Sequence, residues 1–197
     1  MAQNSLMQYQ IVVIGGSAGS LEVIIKLLSQ LQGLPGVAIV IVLHRKPAAD
    51  SILVELLAAR TDLPVTEAEE KELILPDHVY VAPPDYHLLI ESDKSFALDT
   101  SEKIYFSRPA IDATFESAAE VYGEALIGVL LSGANADGAQ GLLRIKECGG
   151  LCIVQDPVTA EVPYMPEQAI AHAHIDKILD TEQLIDFINS LSNSVQK

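Results

Sequence analysis

The chain has 197 residues, is 49% apolar, lacks Trp and is only 5% aromatic, so one domain over residues 1–197 with a core of Ile, Leu, Val and Ala is expected. Its 27 Asp and Glu against 12 Lys and Arg give a formal net charge of -15, which argues against nucleic-acid partners and anionic membranes, since both need a cationic footprint. No stretch is apolar enough to span a bilayer, the polar start 1–10 is no secretory signal, and Cys148 and Cys152 fit neither a disulfide framework nor the usual zinc spacings; a cytoplasmic protein with reduced thiols and no metal is expected.

In chain order, Gln10 to Ile14 reads as a short buried strand bounded by Gly15-Gly16. Leu21, Ile24, Ile25, Leu27, Leu28 and Leu31 recur with helical period, until Gly33, Pro35 and Gly36 stop them. Val37 to Leu43 is a second apolar strand and Ile52 to Arg60 a second helix. Val65-Thr66 and Leu73 to Leu75 are short and separated by charge. His78 to Ala82 is a strand ended by Pro83-Pro84, and His87 to Ile90 with Ser95 to Leu98 reads as an antiparallel hairpin. Ile111 to Tyr122 is an amphipathic helix, Ala125 to Leu131 a strand, Gly138 to Cys148 a helix and Leu151 to Gln155 a strand. Helices over Glu167 to His172 and Thr181 to Ser192 follow. This alternation predicts an α/β layered domain with a mostly parallel sheet.

Three strand ends carry chemistry. Gly15, Ser17 and Gly19 make a G-x-S-x-G turn between a strand and a helix, where a serine hydroxyl is exposed and the first helical amides are free to hold an oxyanion. A plain capped turn or a phosphate loop would use similar residues, although the dinucleotide pattern fails because Ser17 occupies its second glycine. His44 directly follows the second strand, within reach of Ser17 if the strands are neighbours, as a general base or as a surface residue. Asp137 is the only acid in the loop Ser132 to Gly138; it suits either the orienting acid of a triad or the cap of the next helix. The order Ser, His, Asp differs from that of α/β-hydrolases.

With these segments in hand, the chain resembles the catalytic domain of CheB, the chemotaxis methylesterase. The matching pieces are Ile14 to Gly19, Leu43-His44, Val79 to Leu88, Ser107 to Asp112, Leu131 to Gly138, and Gln155 to Pro157 with Pro163 to Pro166, in family order between Ile11 and about Phe187. The resemblance implies a doubly wound sheet with helices on both faces. It implies hydrolysis of γ-glutamyl methyl esters on the cytoplasmic helices of methyl-accepting chemoreceptors, or on another methylated signalling protein, and deamidation of particular glutamines. It further implies Ser17 as nucleophile, His44 as base, Asp137 as orienting acid, the amides of Ala18 and Ala134 as oxyanion donors, and His87 and Arg108 as residues lining the substrate, with no cofactor or metal.

The sequence also departs from the family. Ala18 replaces a usual Thr, Ser20 a usual glycine, and Ala134-Asn135 a usual Met-Gly. Main-chain donors survive such changes, and Asn135 is expected to keep the loop's shape because Asn tolerates left-handed backbone. Only ten or so residues precede the first strand, so the phosphorylated receiver domain of the family is expected to be missing, with control by a separate regulator or none. Arg45, Lys46 and Arg108 are expected to draw acidic receptor helices to an acidic protein. The alternative function is a non-catalytic CheB-like binding module in a signalling complex. An NADP-dependent reductase is disfavoured, since no Tyr has Lys four residues later.

Overall fold

Runs such as Val12-Val13-Ile14 and Ile39-Val40-Ile41-Val42 leave no polar face, so they can only form strands covered on both sides. The computed structural model describes residues 9–45 and 52–192. Its main sheet contains β1 (Ile11–Gly16), β2 (Ala38–Leu43), β3 (Val65–Glu67), β4 (Val79–Val81), β7 (Leu126–Leu130), β8 (Leu151–Gln155) and β9 (Lys177–Leu179). The strand order is β3-β4-β2-β1-β7-β8-β9, with all pairs parallel. The remaining strands, β5 (His87–Ile90) and β6 (Phe96–Asp99), form the expected antiparallel hairpin, with Leu88 opposite Leu98.

Alternation along each strand fills two layers. Val12, Ile14, Ile39, Ile41, Ile127 and Val129 pack with α1 (Ser20–Ser29), α2 (Leu53–Ala58) and α6 (Thr181–Ser192). Ile11, Val13, Val40 and Val42 point the other way, into α3 (Ile111–Tyr122), α4 (Ala139–Glu147), α5 (Tyr164–His172) and the hairpin. Helices therefore cover both faces, as expected. Among the described residues no helix is long and apolar enough to cross a membrane.

Most elements match the sequence to within two residues, and the differences have causes. Helix α5 starts at Tyr164 rather than Glu167 because Pro166 falls in its first turn, where a missing N–H costs nothing. The edge strand β9 has three residues and little burial, so it leaves no apolar run to notice. Leu73 to Leu75 supplies only one bridge, from Leu73 to Ser95.

Strand β1 lies between β2 and β7. The chain leaves it toward β2, β4 and β3 on one side, then returns to β7, β8 and β9 on the other. Such a reversal opens a crevice beyond the carboxyl ends of the central strands.

Candidate active site

Ser17 follows β1 and His44 follows β2, and the register pairs Gly16 with Leu43. The two residues are therefore carried side by side, and the His44 amide donates to the Gly16 carbonyl at 3.2 Å. The serine turn is bent by Gly19, at φ 78°, where a Cβ would also lie 2.5 Å from that of Glu161. Ser20 donates through its hydroxyl to the Ser17 carbonyl at 2.6 Å, so this departure from the family tightens the turn.

The loop after β7 is laid against that turn. The Ser17 amide donates to the Ser132 carbonyl at 2.9 Å, and the Ser132 hydroxyl donates to the Ala18 carbonyl at 2.7 Å. The same hydroxyl accepts from the Val162 amide at 2.9 Å, while Gln155 accepts from the Ser132 amide at 2.9 Å. A Cβ on Gly133 would lie 3.1 Å from that of Ser17 and 2.5 Å from Met165 Cε, so only glycine lets the loops approach this closely. Asn135 is not left-handed; it shapes the loop instead through its side chain, which accepts from the Asp137 amide at 3.1 Å.

Asp137 is fully buried. Its Oδ2 lies 2.7 Å from His44 Nε2, and the histidine side chain is only 9% exposed. Asp137 does not cap its own helix, whose N-cap is Gly138. It caps α3 instead, accepting from the amides of Ile111 at 2.7 Å and Asp112 at 2.8 Å. Asp112 reciprocates, accepting at one oxygen from Gly138 at 2.9 Å and Gly141 at 2.7 Å at the start of α4. Each aspartate thus sits where helix amides and dipoles favour an anion. Burial first, and then the charge of Asp137, push the Asp112 carboxyl up to about 7.

These contacts bring Ser17, His44 and Asp137 to one crevice. The Ser17 hydroxyl makes no hydrogen bond with a described residue, and the exposed amides of Ala18 and Ala134 are likewise open. Two cavities meet at His44. One, of about 390 Å³, is lined by Ser17, Ser20, Leu21, Leu43, His44 and Ile52 among others. The other, of about 350 Å³, is lined by His44, Arg45, Asp85, Lys103, Phe106 and Arg108 among others.

The other expected residues divide. Arg108 reaches the second cavity but is engaged by Asp85 at 2.9 Å and by the carbonyls of Thr100 and Ser101. His87 lines neither cavity: it is 1% exposed, its Nδ1 accepts from the Ala110 amide and its Nε2 donates to the Glu102 carbonyl. It thereby fixes the loop that carries Arg108. Arg45 is committed to Glu67 and the Ala82 carbonyl, both at 2.8 Å, and Lys46 lies outside the described residues. The expected basic patch is therefore largely neutralised, and Lys103, exposed and without an ion pair among the described residues, is the cation that remains at this wall. Cys148 and Cys152 are free thiols, and burial pushes that of Cys152 up to about 12. Among the described residues no cluster of His, Cys, Asp or Glu could hold a metal.

Ser132, Gln155 and Asp112 were not singled out by the sequence. Asp112 alone left a signal there, an acid in the first turn of a helix, but nothing named its partner.

Comparison with known proteins gives the geometry its relatives. The family model for CheB methylesterase matches residues 12–188. A Leptospira interrogans protein is 47% identical over 192 residues, covering 97% of this chain and all of its own length. A Thermotoga maritima protein-glutamate methylesterase/protein-glutamine glutaminase is 38% identical over 91% of this chain, which spans 54% of that protein. The crystal structure of the Thermotoga maritima CheB methylesterase catalytic domain superposes with a TM-score of 0.88 at 35% identity, covering 93% of this chain and 98% of that one. A serine turn, a histidine and a buried aspartate at the switch point of a doubly wound sheet, on a sequence this similar, place the chain in the CheB methylesterase family.

Proposed function

We propose that this domain is a serine esterase that removes methyl groups from glutamyl side chains on the cytoplasmic helices of methyl-accepting chemoreceptors, or of another methylated signalling protein, in the cytoplasm. The observation that carries the reading is the 2.7 Å contact of His44 with Asp137 beside an uncommitted Ser17 hydroxyl.

Asp137 occupies Nε2, so Nδ1 of His44 is left to take the serine proton. Ser17 Oγ attacks the ester carbonyl as that proton passes to His44, and the amides of Ala18 and Ala134 stabilise the oxyanion. The ester C–O bond then breaks, and His44 returns the proton to the departing methoxide, giving methanol. Water attacks the glutamyl-enzyme, surrenders a proton to His44, and Ser17 leaves reprotonated. Asp137 orients the ring and compensates the imidazolium in both halves. A glutamine side chain would give the same acyl-enzyme with ammonia leaving, which is the second activity in the Thermotoga relative's name.

The test is methanol release from a methyl-labelled chemoreceptor cytoplasmic fragment, with Ser17→Ala in parallel. Release by the parent and its loss in the variant, by roughly 10⁴-fold or more, is the expected result. No release from a folded parent that still retains the fragment in a pull-down would favour the non-catalytic binding module.

A further inference from the structure

Beside the triad, Ile104 to Ser107 forms a two-residue turn closed by the Ser107 amide on the Ile104 carbonyl at 2.8 Å and the reverse bond at 3.2 Å. Its central residues are Tyr105 at φ 48° and Phe106 at φ 62°. Two positive φ values in succession are the mark of a type I′ turn, which normally takes Asn-Gly. Two bulky aromatic residues there are strained, and strain of this kind gathers at functional sites. Neither ring is repaid by full burial: Tyr105 is partly exposed, and Phe106 is 97% exposed.

The place of the turn suggests what it meets. Phe106 borders the cavity that shares His44 with the serine side of the crevice. Exposed Ile52 lines the other cavity at His44. On a chain of net charge -15, the wall under Phe106 carries Arg45 and Arg108, paired with Glu67 and Asp85, and Lys103, which has no ion pair among the described residues. An apolar projection beside that lysine complements a glutamate-bearing protein segment that also presents an apolar side chain.

We propose that the Tyr105–Phe106 turn is the docking element for the substrate protein, with Phe106 packing against an apolar side chain of a glutamate-bearing segment and Lys103 facing its carboxylates. This rests on the esterase reading and adds to it that the enzyme prefers a macromolecular ester over a small one, because binding remote from the ester is used to position it.

The experiment compares kcat/KM for a methyl-labelled receptor fragment with that for a small ester, the γ-methyl ester of N-acetyl-glutamic acid α-amide. Phe106→Asn removes the ring while suiting the left-handed backbone, and Phe106→Leu retains an apolar group. The ratio of protein to small ester is expected to fall by about tenfold or more in Phe106→Asn, mostly through KM for the fragment, and by less in Phe106→Leu. Lys103→Glu should lower the ratio and weaken its dependence on salt. A parent active on both substrates whose ratio is unchanged in Phe106→Asn overturns the docking role alone. A parent inactive on both overturns the esterase reading and the docking role with it.

Discussion

Asp137 and Phe106 border one crevice and are held in opposite ways. Asp137 is fully buried, with three hydrogen bonds to its carboxylate from two amides and a histidine. Phe106 projects into solvent from a turn closed only by its own backbone. The part of the site that holds the His44 ring is fixed by polar bonds between helix ends. The part that faces outward keeps an exposed ring at a conformational cost.

The largest expected effect tests the buried side of this contrast. Asp137→Asn should lower kcat by on the order of 10³–10⁴, because its amide cannot match both the histidine and the two α3 amides. It should also lower the melting temperature, since α3 loses its cap. A kcat within a few-fold of the parent in the methanol assay would mean that His44 is oriented by something else.

A smaller effect is expected at Ser132, whose hydroxyl joins the serine turn to the segment at Val162. Ser132→Ala should cost about 1–3 kcal/mol in denaturant unfolding, as buried polar groups lose their partner. It should lower kcat more than it raises KM, because Ser17 is held through the same loop. An unfolding midpoint equal to the parent's would show that the stitching is dispensable.

The smallest effect separates the two buried aspartates. Asp112 holds its proton to about 7 in the folded chain but releases it near the ordinary 3.8 when unfolded. Its contribution to stability is therefore full below about pH 4 and is lost as pH rises to about 7. Asp112→Asn keeps an acceptor for Gly138 and Gly141 but does not titrate. The variant should match the parent near pH 4 and be the more stable of the two at pH 8. Parallel stability curves across that range would contradict the shift.

How much of this was legible in the sequence follows from the same contrast. That Ser17, His44 and Asp137 meet in one crevice could be read because each follows a strand, and strand ends of a parallel sheet converge. The apolar runs fixed the strands, and α3, β8 and α6 have the bounds their patterns predict. The partners of Asp112, Ser132 and Gln155 were not readable, since they depend on which loops the strand order brings together. The family pattern points His87 toward the substrate, yet its two ring nitrogens are taken by main chain inside the fold. The strained turn was invisible for another reason: Tyr-Phe carries none of the Asn or Gly signals by which type I′ turns are recognised.

The cap that Asp137 places on α3 also bears on how this domain could lose its chemistry over time. On the esterase reading, a change at Asp137 would remove activity and weaken the fold together, so a silent descendant made that way would be cleared along with its misfolded copies. The Ser17 hydroxyl supports nothing else among the described residues. An inactive but durable decoy of this fold is therefore most accessible through position 17, and a natural sequence that keeps Asp137 while lacking that serine would be the trace of such a passage.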